Sequence, residues 1–293
     1  MNGLVLVDKP SGCTSHDVVN RWRKLADTKR VGHLGTLDPI ATGLLVLMTG
    51  RATRLAQYFG HSDKTYIAEI TFGLVSDTYD AEGVIAETGV SPPRDLALIH
   101  AALEKFRGTS LQTPPRISAK KVNGVAAYKL ARRQIPVDLK PVEIEVKRLD
   151  AESMDEEKLE LVVTCSAGTY IRGLAHDLGQ QLGCGAVLTK LRRIQSGEFT
   201  IDQARTLDDL AELAGVGRLC EAVIPAARLL PRFPAEHFDS FVEAQIRQGR
   251  DFRTSPFLVP PGSEFVKALS HSGELIAIGE LRIPNLYHPA TVL

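Results

Sequence analysis

No apolar run in these 293 residues approaches the roughly 20 needed to cross a bilayer as a helix. The four cysteines, Cys13, Cys165, Cys184 and Cys220, are scattered and form no CxxC pair. That spacing argues against a zinc site and supports no disulfide framework, which leaves buried or incidental thiols. Charge of one sign is not in excess: 35 Lys and Arg stand against 35 Asp and Glu. A neutral total does not announce a polyanion partner, so the distribution of charge has to be read instead. There is no internal repeat and no low-complexity tract. The opening Leu4-Val5-Leu6-Val7, followed at once by Asp8-Lys9, is too short and too early for a signal peptide, and the expected location is cytoplasmic.

What is present is ordinary in bulk. The 44% apolar and 24% charged content is that of a soluble globular chain, and the length suggests one large domain with a small one, or two domains. Basic residues cluster at Arg21, Arg23, Lys24, Lys29 and Arg30, at Lys120-Lys121, at Arg132-Arg133 and at Arg192-Arg193. Taken singly, each cluster reads as a solvated face. Brought to one side by the fold, they would make a cleft for a polyanion.

One stretch stands apart: Gly32-His33-Leu34-Gly35-Thr36-Leu37-Asp38-Pro39-Ile40-Ala41-Thr42-Gly43-Leu44-Leu45. Asp38 precedes Pro39, and a residue before proline is pushed out of the helical region, so Asp38 is expected on a stiff extended loop. Gly35 and Gly43 permit tight turns on either side. Leu44 to Met48 is a short apolar run that reads as a buried strand. A lone acid on a rigid loop backed by a core strand is how a catalytic carboxylate would be held. The same residues also describe an ordinary Asp-Pro turn.

Along the rest of the chain, Leu4 to Val7 reads as a strand and Ser15 as the N-cap of a helix running to about Ala26. Arg51 to Phe59 reads as a short helix, Lys64 to Phe72 as a strand and Pro92 to Phe106 as a helix. The loop carrying Asp77, Thr78, Asp80, Glu82 and Gly83 fits no metal-binding spacing and is expected to be solvated. Gly108 to Gly124 lacks periodicity and is expected to be a long, functional loop. Tyr128 to Arg133 resembles a basic helix. Val142 to Leu149 and Lys158 to Cys165 read as strands, and a strand hands over to a helix near Tyr170 and Arg172. His176 is open between a catalytic base and a helix-packing residue beside Asp177, with packing favoured. Strands are expected at 186–191 and 197–200, flanking Arg192-Arg193, and 201–230 as largely helical. Pro231-Arg232-Phe233-Pro234 marks a boundary between a domain of residues 1–230 and a β-rich appendage of residues 231–293. The appendage is expected to carry a hairpin between Phe265–Leu269 and Glu274–Ile278.

The stretch GHLGTLDPIATGLL closely resembles the catalytic motif of the TruB family of tRNA pseudouridine synthases. Other motifs follow in family order: LVDKPSGCTS from Leu6, Lys64-Thr65-Tyr66, the central QTPP with SAKKVNG from Gln112, Gly168-Thr169-Tyr170-Ile171-Arg172 with LAHDLG from Leu174, and Leu191-Arg192-Arg193. The resemblance covers residues 3 to 230. Ile246-Arg247-Gln248-Gly249 is similar to the PUA-like RNA-binding domain of bacterial members. By the same resemblance, the short second domain points to the bacterial tRNA-acting type over the guide-RNA-dependent dyskerin type.

The resemblance implies an α/β fold of the mixed α+β kind: a mixed, largely antiparallel sheet flanked by helices, an active-site cleft across it, and a small C-terminal β domain. It implies isomerisation of uridine 55 in the tRNA T loop to pseudouridine after base flipping. Asp38 is then the catalytic carboxylate, attacking the sugar C1′ or abstracting a sugar proton, a choice the sequence leaves open. Arg172 is its guanidinium partner. Tyr66 stacks on the uracil and is placed to help remove the C5 proton. Tyr170 supports the pocket, Leu191 packs on the base and His33 fills the space the flipped nucleotide leaves. Lys9, Lys64, Lys120 and the Arg192-Arg193 pair are expected phosphate contacts. No cofactor or metal is implied. The implied partner is tRNA through its T arm, with no membrane and no obligatory protein partner, and the expected state is a monomer. A tRNA-folding role would coexist with this chemistry. A glycoside hydrolase would need two carboxylates flanking the bond, and no second acid shares a motif with Asp38.

Overall fold

Strand β1 (Gly3–Lys9) and strand β3 (Thr42–Thr49) are the two apolar runs of the sequence, and each is buried on both faces. They pair antiparallel from Gly3↔Thr49 to Lys9↔Gly43. Side chains alternate across a strand. Val5, Val7, Leu45 and Leu47 therefore enter one core, while Leu4, Leu6, Leu44, Val46 and Met48 enter another on the opposite face. That is why these strands read as continuous apolar runs and not as an alternation. Truncating Leu44 to Ala would cost about 2–5 kcal/mol.

The computed structural model describes every residue except 94, 119, 120, 123, 124, 127–129 and 131–138. Lys120 and the expected helix at Tyr128 to Arg133 fall at or among the residues outside this description. In chain order the elements after β1 are α1 (Ser15–Leu25), β2 (Val31–His33), β3, a 3-10 helix (Gly50–Phe59), β4 (Lys64–Phe72), β5 (Leu74–Ser76), β6 (Ile85–Glu87), α2 (Leu96–Glu104), β7 (Gly108–Gln112), β8 (Lys121–Val122), β9 (Val125–Ala126), β10 (Val142–Asp155), β11 (Lys158–Cys165), α3 (Ile171–Leu182) and β12 (Ala186–Ser196). Then come β13 (Phe199–Thr200), α4 (Leu207–Gly215), β14 (Ile224–Pro225), β15 (Ala235–Phe238), α5 (Ser240–Arg247), β16 (Phe252–Arg253), β17 (Phe265–Ser270), β18 (Leu275–Ile283) and β19 (Leu286–Val292).

The large sheet has the order β14-β1-β3-β12-β4-β11-β10-β7, with β2 on β3 and β13 on β12. Among the described residues its pairings are antiparallel apart from β3–β12, so it is mixed and largely antiparallel as expected. The core between helices and sheet holds Trp22, Ile70, Phe72, Leu161, Leu174 and Leu178. On the other face, Leu55 and Phe59 of the 3-10 helix meet Leu229, Phe233, Leu275 and Ile278. The C-terminal five-stranded sheet, β15-β17-β18-β19-β16, thus leans on the large sheet while keeping a smaller core of its own around Phe238, Ile246 and Tyr287. The expected hairpin is β17–β18. Among the described residues, no helix is long and apolar enough to cross a membrane.

Several local expectations are corrected. The cap of α1 is Thr14, not Ser15. Thr14 and Asp17 form a reciprocal capping box, which frees the Ser15 hydroxyl for a distant loop. Residues 108–112 are an edge strand and not a loop, pairing with β10 from Val142↔Gln112 to Val146↔Gly108. An edge strand with an exposed Leu111 buries little and shows no apolar alternation. Strand β12 runs unbroken through Arg192-Arg193, which were read as a gap. Residues 201–230 hold α4 and three short 3-10 turns joined by irregular chain and β14, not one long helical run.

Candidate active site

Asp38 lies in the connection between β2 and β3, where its carbonyl accepts from the Ala41 N–H at 3.0 Å. Gly43, at φ +95°, is the second residue of β3. A Cβ there would fall 2.3 Å from the Arg193 carbonyl oxygen, so the position requires glycine on both counts. Gly35 also has positive φ. The β1–α1 turn grips the loop from the other side. The Leu37 N–H donates to Ser15 Oγ at 2.8 Å, and that hydroxyl is also 3.0 Å from the Leu37 carbonyl. The Gly12 N–H donates to the Pro39 carbonyl at 2.9 Å. Lys9 Nζ donates to the carbonyls of Pro10 (2.9 Å), Cys13 (2.6 Å) and Pro39 (3.3 Å). The opening motif thus holds the carboxylate loop.

Arg172 comes from the first turn of α3. The helix start is braced by Gln112: the Tyr170 N–H donates to Gln112 Oε1 at 2.8 Å, and Gln112 Nε2 donates to the Tyr170 carbonyl at 2.9 Å. The Arg172 side chain is 5% exposed. Its Nη1 donates to the Thr78 carbonyl at 3.0 Å and its Nη2 to the Ile117 carbonyl at 2.6 Å. Its Nε is 3.2 Å from Asp38 Oδ2, an ion pair without directed hydrogen-bond geometry. Its Nη1 is 3.7 Å from Asp80 Oδ2. Asp80 is buried, accepts from Thr78 Oγ1 at 2.6 Å and from the Glu82 N–H at 3.1 Å, and is pinned to the sheet by the bridge between Asp80 and Leu188. One guanidinium therefore serves two carboxylates.

The Asp38 side chain keeps 39% of its surface open although protein atoms surround the loop. Burial pushes its pKa above the ordinary carboxylate value; Arg172 opposes that push, Asp80 adds to it and Lys9 opposes it. The carboxylate opens into a cavity of about 320 Å³ walled by Tyr66, Leu191, Tyr170, Lys64 and Arg193. That is the small end of ligand-pocket sizes, suited to one nucleoside. Tyr66, on β4, is buried, and burial raises its phenol while Arg193 pulls the other way. Leu191 faces Tyr66's strand from β12, paired with Ala68. His33 lines a second, larger cavity of about 720 Å³ that shares Leu37, Asp38 and Arg172 with the first. Burial, with Arg193 and His16, pushes the His33 imidazole down in pKa.

Seven of the expected residues, Asp38, Tyr66, Arg172, Tyr170, Leu191, Lys64 and Arg193, thus line one cavity. The expected phosphate contacts fare differently. Lys9 is 0% exposed and spends its donors on three backbone carbonyls, so it is a loop clamp and not a phosphate contact. Arg193 is also fully buried, donating to the carbonyls of Leu44 (2.7 Å) and Gly35 (3.1 Å). Arg192 is bidentate with Asp8 at 3.0 and 2.7 Å. Lys64 faces the cavity but is largely buried and tied to the Ser62 carbonyl. The acidic loop is not simply solvated: Asp80 is buried against Arg172. His176 is a packing residue, stacked on Tyr79 at 3.8 Å and 13°. Gln112 and Asp80 were missed. Gln112 opens the central motif and Asp80 is the acid of a turn-rich loop, but nothing local says either is buried. Among the described residues no group of three or more His, Cys, Asp or Glu is placed to hold a metal ion.

Residues 23–171 match the family described as TruB family pseudouridylate synthase (N terminal domain), and residues 172–230 match the tRNA pseudouridylate synthase B C-terminal domain. The chain is 51% identical over 293 residues to the tRNA pseudouridine synthase B of Solibacter usitatus, covering 100% of both chains. It is 42% identical to that of Thermobifida fusca, covering 96% of this chain and 95% of the relative, and 37% identical to that of Aquifex aeolicus, covering 96% of each. A solved Cbf5-Nop10-Gar1 complex contains a chain of the same fold, with a TM-score of 0.72 at 24% identity over 98% of this chain and 83% of that one. An archaeal box H/ACA sRNP Nop10-Cbf5 complex gives 0.71 at 23% identity, covering 99% and 86%. The two family models together span residues 23–230, and with the full-length relatives they place the chain in a class, the pseudouridine synthases, which are isomerases of RNA uridine. The chain belongs to the TruB family of pseudouridylate synthases.

Proposed function

We propose that this protein isomerises uridine 55 in the T loop of tRNA to pseudouridine, with Asp38 as the catalytic carboxylate. The observation that carries the reading is the Asp38–Arg172 ion pair at the mouth of a cavity walled by Tyr66 and Leu191. Uridine reaches such a cavity only when turned out of the RNA, at a cost of a few kcal/mol in unstacking. The N1–C1′ bond then breaks, the uracil rotates, C5 bonds to C1′, and the C5 proton leaves as N1 gains one. Atoms and electrons balance without an external reactant.

Asp38 acts ionised, at C1′ or on a sugar proton. Arg172 holds it and favours the charged form. Tyr66 supplies the ring that stacks on the uracil; its buried phenol is neutral at working pH, so any part it takes in C5 deprotonation depends on Arg193 beside it. Leu191 and the ring of Tyr170 keep bulk water from the detached base, which hydrolysis would otherwise intercept. His33, in the adjoining cavity, stands where the vacated stack would be filled, and Lys64 contacts the flipped nucleotide. Asp80 is buried against Arg172 and reaches only the adjoining cavity, so it does not make the second carboxylate of a glycoside hydrolase. Residues 231–293 form the PUA-like RNA-binding part, and the enzyme acts in the cytoplasm as a monomer without a protein partner.

The test is tritium release from [5-³H]uridine-labelled tRNA, with the product mapped. Release by the wild type at the T loop and none by Asp38→Asn is expected. Release by Asp38→Asn at the wild-type rate, or free uracil as the product, would refute the reading. Asp38→Asn retaining tRNA binding would leave a separate folding role standing.

A further inference from the structure

One strongly charged surface is unused by this chemistry. Lys29 and Arg30 precede β2, and Arg51 and Arg54 lie in the first turns of the 3-10 helix after β3. The pairing Val31↔Thr49 brings the two segments together. The Gly50 N–H donates to the Arg30 carbonyl at 2.8 Å, and the Arg51 N–H to Asn2 Oδ1 at 2.8 Å, so the backbone under the charges is fixed. The four side chains are exposed and surround a concavity of about 350 Å³ that, among the described residues, no acidic residue lines. Among the described residues Arg54 has a partner, the Val292 carbonyl at 2.7 Å. The helix start, capped by no side chain, adds partial positive charge. Four like charges around one hollow repel one another, and an anion with several charges relieves that repulsion.

We propose that this concavity binds a run of phosphates on the tRNA, apart from the flipped uridine itself. The inference rests on the tRNA reading above and extends it to a second point of contact. Strand β2 leads from Arg30 to His33 over roughly 10 Å, at about 3.3 Å per residue. His33 lines the cavity beside Asp38. The concavity therefore lies a few nucleotides of RNA backbone from the chemistry, and phosphate contacts there fix register without reading sequence. Arg30 and Arg51, presenting free forks, suit phosphate oxygens.

The experiment compares wild type with Arg30→Gln/Arg51→Gln and with Arg30→Lys/Arg51→Lys. It reads tRNA affinity across a salt series and the single-turnover rate at saturating tRNA. Each phosphate contact contributes about 0.7–0.9 to the slope of log affinity against log salt, so the glutamine pair is expected to flatten the slope by about 1.4–1.8. Its low-salt affinity falls about tenfold or more, its saturating rate is unchanged, and the lysine pair keeps the slope. An unchanged slope overturns the proposal. So does a wild-type thermal shift by inorganic phosphate that the glutamine pair lacks while tRNA binding is unaltered, which would assign the hollow to a free anion. Wild-type failure to release tritium, with the slope effect intact, would sink the catalytic reading and leave the contact standing.

Discussion

Replacing Asp80 by Asn tests whether Arg172 is shared between two acids by design of the site. The substitution keeps shape and removes one charge. At 3.7 Å, and with an effective dielectric of about 20, the attraction between Asp80 and Arg172 is roughly 4–5 kcal/mol before the cost of burying the Asp80 charge is subtracted. Breaking a buried pair outright costs about 3–5 kcal/mol, but Arg172 keeps Asp38 and two carbonyls, so a loss of about 1–3 kcal/mol of stability is expected. The guanidinium is then drawn toward Asp38, and a displacement on the order of 1 Å lowers the chemical rate up to about 10²-fold. The pH profile carries the sharper test. Asp80 helps to hold the Asp38 pKa up. Without that like charge the Asp38 pKa falls. On the proposed mechanism rate requires ionised Asp38 and is lost as pH falls through its pKa, so the acid limb moves to lower pH. Arg172→Met must move the same limb upward, because it removes the charge that opposes the effect of burial. Single-turnover rates across pH, with thermal melts of each variant, check both. An Asp80→Asn enzyme with its acid limb unmoved or raised would refute the shared-guanidinium account.

Three further outcomes follow from the same geometry. Because the Asp38 pKa is raised on folding, the folded state binds that proton more tightly than the unfolded one, and stability falls as pH rises from the ordinary carboxylate pKa through the raised one; Asp38→Asn should therefore melt higher than wild type at neutral pH and lose the advantage in acid. Lys9→Met leaves three carbonyls without their donor, at about 1–3 kcal/mol for each that stays buried, and should lower both melting temperature and rate while the salt slope of tRNA binding stays that of wild type, whereas a phosphate contact would flatten it. Gly43→Ala meets the Arg193 carbonyl at 2.3 Å in a left-handed conformation, and should cost more than about 1 kcal/mol by denaturant melts and slow catalysis by shifting the Asp38 loop.

The Asp38 loop was legible because its signals are local. Proline after the acid, glycines at both ends and the apolar run behind it each act within a residue or two. The supporting groups were not legible because their partners lie far along the chain. Gln112 braces a peptide 58 residues away, and its own strand, with Leu111 exposed, shows no alternation. Asp80 sits among turn formers that read as solvated loop; its burial comes from Leu188 and Arg172, brought there by the sheet and by α3. Lys9 and Arg193 carry charges that suggest surface, yet each is swallowed by a loop whose carbonyls need donors. Arg192-Arg193 seemed to interrupt a strand, since a buried arginine defeats a pattern built on apolar residues.

These supporting groups also explain how one carboxylate can be both held and reactive. A buried acid with no partner would take up its proton and be useless as a nucleophile or base. An acid with a guanidinium to itself, in a directed bidentate pair, would be charged but strongly stabilised. Asp38 has neither surrounding. Arg172 keeps it ionised through an undirected contact at 3.2 Å, while the guanidinium's donors are spent on Thr78 and Ile117 and part of its field on Asp80. The residual push of burial then favours any step that disperses the carboxylate charge, and on the proposed mechanism both attack at the sugar C1′ and uptake of a sugar proton are such steps. The arrangement is stiff because α3, the Thr78–Asp80 loop and the β2–β3 loop each fix one side of it. On this account, activity should depend more on the residues that divide the guanidinium's attention than on any single contact to the base.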